Sequence, residues 1–68
     1  MDNIPAFRDL LYFYNSCGEV TRSNLRFGQW FIVNYMPKSD DNVLFMEPNM
    51  AKAMVMIYAY YEQYQWEL

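Results

Sequence analysis

The chain has no histidine, one cysteine and two glycines, and each scarcity argues against a class of function. Cys17 alone excludes a disulfide within the chain, and without histidine it leaves no credible zinc site. Gly18 and Gly28 cannot form a glycine-rich loop around a phosphate group. Since no histidine base is present and Cys17 has no obvious activating partner, we expect no enzyme and no cofactor.

Basic residues are also few, with five Lys and Arg against eight Asp and Glu and a net charge of −3. This balance offers no broad basic surface for nucleic acid and is too mild for a mimic of DNA. The longest apolar stretches, residues 27–36 and 53–61, are too short to span a bilayer, and no signal peptide is predicted. We therefore expect a cytoplasmic protein whose partner is another protein, with no membrane role.

Aromatic residues are abundant, at 21% of 68 residues. A chain of this size buries only about 60% of the surface that its unfolded state exposes, so large aromatic side chains supply much of the available core area. Such a composition argues against disorder. The sequence predicts one small helical domain over residues 1–68.

The first predicted helix covers residues 4–16, with Asn3 as its cap and Gly18 just past its end. Its apolar positions recur at helical spacing and define one face, formed by Ile4, Phe7, Leu11 and Tyr14.

The second predicted helix begins at Thr21 or Ser23 and runs to Met36, where Pro37 stops it. Its core face contains Leu25, Ile32, Tyr35 and Met36, with Gly28 allowing close approach of a neighbouring helix. A strand over residues 30–35 is the competing interpretation, because aromatic and β-branched residues suit strands. The pattern favours a helix but leaves residues 27–35 open between the two.

A polar loop follows at residues 37–42, and residues 43–46 are predicted to be irregular or extended. The last helix begins near Pro48 or Asn49 and extends to about Gln65. The predicted fold is thus all-α, a compact three-helix domain with a short irregular or extended segment before the last helix.

The last helix carries more apolar surface than one buried face can use. Its predicted core face consists of Met50, Ala53, Met54, Ile57, Tyr60, Tyr61 and Tyr64. The opposite side still carries Val55, Met56, Ala59 and Trp66, with Lys52 and Glu62 at its rim. Because surplus Tyr, Trp and Met typically mark a contact surface, we expect this side to bind a partner.

Arg22, Arg26 and Trp30 follow one another at four-residue intervals in the second predicted helix. This ladder is interpreted as part of the partner-binding surface, and the alternative is a helix-turn-helix with residues 18–23 as its turn. Asp40, Asp41 and Glu47 lack the spacing of a calcium loop, so a solvated acidic turn is favoured and no metal site is predicted.

One resemblance attaches to the run Arg26-Phe27-Gly28-Gln29, which is followed by a polar turn, by Leu44-Phe45-Met46-Glu47 and by the last helix. This order resembles a group of small phage and prophage proteins of unassigned function that carry an Arg-x-Gly-Gln helix. The resemblance implies phage origin and the cytoplasm of a host cell as the location.

The sequence as a whole favours a protein-binding module. The expected role is a phage-encoded inhibitor or adaptor of a host protein, including host-defence or anti-CRISPR targets, that acts by steric occlusion. Two alternatives stay open: a structural homodimer joined by the last helix, and a small DNA-binding regulator.

Overall fold

The computed structural model describes residues 4–68, and every regular element within this range is helical. The all-α prediction is confirmed, although residues 4–68 form five α-helices instead of three. A 3-10 turn at Phe7–Asp9 leads into α1 (Leu10–Asn15), α2 (Glu19–Asn24), α3 (Phe27–Tyr35), α4 (Asn42–Met46) and α5 (Met50–Tyr64). Among residues 4–68, none of the helices combines the length and the apolar character that a membrane-spanning helix requires.

Helix α3 lies at the centre of the fold and packs against both α4 and α5. The core is rich in aromatic side chains. Every helix except α2 contributes residues to it: Leu10, Tyr14, Phe27, Trp30, Phe31, Ile32, Leu44, Ala53, Ile57 and Tyr61. Gly28 is essential to this arrangement, since a Cβ atom there would clash with the backbone of Leu44. The predicted close approach at Gly28 is confirmed.

The first helix begins later than predicted. Residues 4–6 are not helical, and Ala6 is extended with φ −59° and ψ 145°. Contacts with the C-terminal segment account for this start, because the amides of Phe7 and Arg8 donate to the carbonyls of Glu67 and Leu68. Asn3, the predicted cap, lies outside the described residues.

Gly18 does not end α1 as predicted. It has a φ of 90° and stands directly before α2, after a turn that begins at Ser16. A positive φ favours glycine over any residue with a Cβ atom. The backbone therefore does favour glycine at position 18, but at the start of α2 and not at the end of α1.

The second predicted helix is broken in two at Leu25 and Arg26. Leu25 is extended, with φ −123° and ψ 118°, and its carbonyl accepts a 2.7 Å hydrogen bond from the Tyr14 hydroxyl. This bond removes the carbonyl from any helical ladder, and α3 starts afresh after Arg26. The break turns Phe27 and Trp30 into the core, and the alternative strand at residues 30–35 is wrong because these residues are helical.

Residues 43–46 are helical, which corrects the predicted irregular or extended segment. The side chain of Asp41 caps α4 by accepting a 3.0 Å hydrogen bond from the Leu44 amide. This cap satisfies a backbone donor that a helix start leaves without an internal partner. Leu44 is thereby held, fully buried, against α3.

The last helix agrees with its predicted bounds. Asn49 caps α5 by accepting from the Lys52 amide at 3.1 Å. At the other end Gln65 takes the left-handed conformation, and the Gln65 and Trp66 amides donate back to Glu62 and Tyr61. These two bonds form a Schellman motif, which turns the chain so that Trp66 folds back over the final turn.

Candidate functional site

The inner face of α5 is narrower than predicted. Ala53, Ile57 and Tyr61 are buried as expected, and Met54 and Tyr60 are half-buried against the core. Met50 and Tyr64 lie at the margins instead, and the Tyr64 side chain is 50% exposed. The prediction of both as core residues is therefore wrong, because only a short length of α5 is covered by α3 and α4.

The outer side of α5 keeps part of its predicted apolar surplus. Val55 is 71% exposed, and Ala59 and Glu62 are exposed on the same side. Lys52 is exposed one turn before Val55. These residues form a surface that no other element of the described chain covers.

Met56 and Trp66 do not belong to that outer surface. Both are half-buried and pack against the core cluster. Trp66 is brought there by the left-handed turn at Gln65, and its ring meets the ring of Tyr61 edge-on at 5.2 Å. The prediction that these two residues share one exposed stripe with Val55 and Ala59 is corrected.

The predicted ladder of Arg22, Arg26 and Trp30 does not exist in the fold. The break at Leu25 places Arg22 and Trp30 on different helices, and Trp30 is only 3% exposed. Its indole stacks on Phe27 at 5.7 Å and meets Tyr14 edge-on. Trp30 is thus a core residue in this structure and cannot contact a partner directly.

Both arginines of the ladder are exposed and bind backbone carbonyls. Arg22 Nε donates to Gly18, and Arg26 Nη1 reaches Met46 on α4. Helix α3, which would have to enter a DNA groove, contains no basic residue and forms the centre of the core. The geometry on which the helix-turn-helix alternative rested is therefore absent from the described chain.

A groove of about 820 Å³ lies between the loop of residues 36–40 and the C-terminal part of α5. We call it the aromatic groove, because one of its walls consists of Tyr60 and Tyr64 on α5 and of Trp66 just after it. The rings of Tyr60 and Tyr64 are parallel within 2° at 6.2 Å, and those of Tyr64 and Trp66 stack at 4.9 Å. The three rings form a continuous row along the groove.

Tyr60 is fixed in this row by Asp41. Its hydroxyl donates a 2.5 Å hydrogen bond to Asp41 Oδ2, while Asp41 Oδ1 caps α4. This bond to the carboxylate, aided by burial, raises the pKa of Tyr60 to about 12. One side chain therefore holds together the start of α4 and the wall of the groove.

The remaining acidic residues of this region have separate roles. Asp40 lines the groove opposite the rings, near Lys38. Glu47 accepts a hydrogen bond from the Asn49 amide ahead of α5. Within residues 4–68 no three side chains capable of binding a metal ion cluster together.

The sequence pattern did not predict that the residues of the groove lie together. Trp66 was predicted to contact a partner, but Tyr60 and Tyr64 were assigned to the core, and residues 38–40 were treated as a solvated loop. A usable signal was the spacing of Tyr60 and Tyr64, which at four residues apart are neighbours on a helix. Nothing in the sequence indicated that the chain would reverse at Gln65 and add Trp66 to the row.

Comparison with known proteins does not assign this chain to a family. No family model, curated protein or solved structure matches it.

Proposed function

We propose that the chain is a small non-catalytic protein-binding module and that the aromatic groove receives a segment of its partner. The observation that carries this proposal is the row formed by Tyr60, Tyr64 and Trp66 beside a groove of about 820 Å³. Tyrosine and tryptophan are, with arginine, the residue types most enriched among the side chains that dominate binding energy at protein interfaces.

The composition of the groove supports a peptide segment as the occupant. Its volume is within the range of about 300–1,000 Å³ that is typical of ligand pockets, so several side chains of a partner fit there. Lys38 and Asp40 stand on the opposite wall and offer one charge of each sign. A partner segment with an apolar side chain flanked by polar or charged residues matches this arrangement, because the apolar side chain would pack against the three aromatic rings.

Preorganisation also supports a binding role. Tyr60 is held by Asp41, and Trp66 by its contacts with Tyr61 and Tyr64. Side chains that are already ordered in the free protein lose little entropy when a partner binds. The groove therefore offers a surface that needs little rearrangement.

The role that we propose for this module is inhibition or adaptation of a host protein in the cytoplasm. The module would act by occupying a functional surface of its target, in line with the phage origin that the Arg26–Gln29 resemblance implies. A steric mechanism requires no catalytic group, metal ion or cofactor from this chain.

Substitution of Tyr64 provides the most direct test. Tyr64 is 50% exposed and its ring lies at the centre of the row, so Tyr64→Ala removes contact area while sparing the core. Proteins captured from host lysate by the wild-type chain are identified, and the affinity of the captured protein is then measured for each variant. We expect Tyr64→Ala to weaken binding about tenfold or more.

Val20→Ala serves as the matched control, because Val20 is a large apolar residue on α2 with 76% exposure. It should bind as the wild type does. Circular dichroism of both variants establishes that the fold is intact. Equal affinity of Tyr64→Ala and wild type would refute the groove as the binding site.

A further inference from the structure

We infer that a second copy of this chain pairs with the first along the outer side of α5, with the two helices antiparallel. The contact would be made by four residues that we call the outer seam: Lys52, Val55, Ala59 and Glu62. This inference goes beyond the proposed function, since Tyr60 and Tyr64 lie on the groove side of α5 and not on its outer side.

The spacing of the outer seam is that of a helix–helix contact. The four residues are separated by three, four and three positions, the intervals at which two-stranded coiled coils place their contact residues. All four are exposed, and Val55 is the most exposed large apolar side chain of α5. Because the intervals read the same from either end, two antiparallel copies present matching positions to each other.

Charge selects the antiparallel arrangement. Lys52 and Glu62 stand at opposite ends of the seam and carry opposite charges. A two-fold axis at the level of Ile57 brings Lys52 opposite Glu62 of the second copy, and this happens twice. Parallel helices would instead bring like charges together at both ends, which is unfavourable.

Side-chain size is also complementary in this register. The same two-fold axis sets Val55 against Ala59 of the second copy, so a larger side chain meets a small one in both central layers. The small Ala59 side chain permits close approach of the two helices. Large-against-small pairing is the usual way for facing helices to fill the space between them.

The length of the seam implies a weak dimer. Ten residues of helix span about 15 Å. A stable interface typically buries about 800 Å² on each partner, which is more than one such helix face supplies. We therefore expect reversible self-association at high micromolar concentration, with exchange between monomer and dimer.

Charge reversal tests the pairing by sedimentation equilibrium of the full chain over a range of concentrations. Lys52→Glu sets like charges against each other at both ends of an antiparallel dimer, and we expect self-association about tenfold weaker. Glu62→Lys should have the same effect. The double variant Lys52→Glu with Glu62→Lys restores both opposite-charge pairs and should return the dissociation constant to within about threefold of wild type.

Arg22→Glu is the control for net charge, because it changes the charge as Lys52→Glu does but on exposed α2. Its self-association should match that of the wild type. A wild-type chain that stays monomeric up to about 1 mM would overturn the inference, since even a weak contact of this size forms a detectable dimer there. A dimer that Lys52→Glu leaves unchanged, or that the double variant does not restore, would equally overturn it.

Discussion

Helices α3 and α5 are both strongly apolar, yet they are buried to very different extents. Five of the nine residues of α3 are buried, namely Phe27, Gly28, Trp30, Phe31 and Ile32. Only three of the fifteen residues of α5 are buried, namely Ala53, Ile57 and Tyr61. The shorter helix is the centre of the core, and the longer one forms its outer wall.

This difference shows when an apolar excess indicates an interface. The excess of α3 is used internally, because the breaks before and after it let neighbouring short helices approach from several sides. The excess of α5 is not used in this way, since no described element covers Val55 or Ala59. The same sequence signal thus means a buried helix in one case and an unpartnered face in the other.

The sharpest test of this contrast removes one apolar side chain from each helix. Trp30→Ala, on α3, should lower the free energy of unfolding by about 3–5 kcal/mol, because it empties a large, well-packed volume. Val55→Ala, on α5, should change it by less than about 0.5 kcal/mol, because Val55 is already in solvent. Urea denaturation of both variants measures these values. Equal losses at the two positions would mean that the outer side of α5 is buried in solution.

Gly28→Ala tests whether close packing of α3 and α4 is what buries α3. The added methyl group would meet the backbone and the Cδ1 atom of Leu44, the latter at 2.8 Å. Backbone cannot yield as a flexible side chain does, so we expect a loss of about 2–3 kcal/mol by the same denaturation measurement. Ala normally stabilises a helix relative to Gly by up to about 1 kcal/mol, and a net gain here would contradict the close approach.

The sequence predicts the helical class, the bounds of the last helix and the close approach at Gly28. These features depend on local signals: the cap at Asn49, the periodicity of α5 and a glycine inside a helical pattern. The break at Leu25 was not predictable in the same way. It depends on the hydroxyl of Tyr14, which donates a hydrogen bond to the Leu25 carbonyl. These two residues are far apart in the sequence pattern, and they meet only in the folded chain.

The candidate site was predicted less well than the fold, for a related reason. Helical projection separates the sides of α5 correctly for Val55 and Ala59, which are exposed as expected. It cannot show how far α3 and α4 extend over α5, and so it assigned Tyr64 to the core. It also cannot place Trp66, whose position follows from the turn at Gln65 and not from helical periodicity.

The smallest expected loss of stability concerns the hydrogen bond between Tyr60 on α5 and Asp41, which supplements the apolar contacts of α5. Tyr60→Phe removes the hydrogen bond to Asp41 and should lower the free energy of unfolding by about 1 kcal/mol at neutral pH. The pKa of Tyr60 is raised to about 12 by this bond and by burial. The contribution of the Tyr60–Asp41 bond to stability is therefore complete below the pKa of Tyr60 in the unfolded chain, which is about 10. It is lost as the pH rises through the pKa of Tyr60 in the folded chain.

Urea denaturation at neutral pH and at several values above pH about 10 should thus show a shallower alkaline loss for Tyr60→Phe than for wild type. Tyr64→Phe is the matched control, because Tyr64 stacks in the same row and lacks the bond to Asp41. Burial also raises the pKa of Tyr61, so some alkaline loss should persist in both variants. If Tyr60→Phe and wild type lose stability in parallel above pH about 10, the Tyr60–Asp41 bond does not help to hold α5.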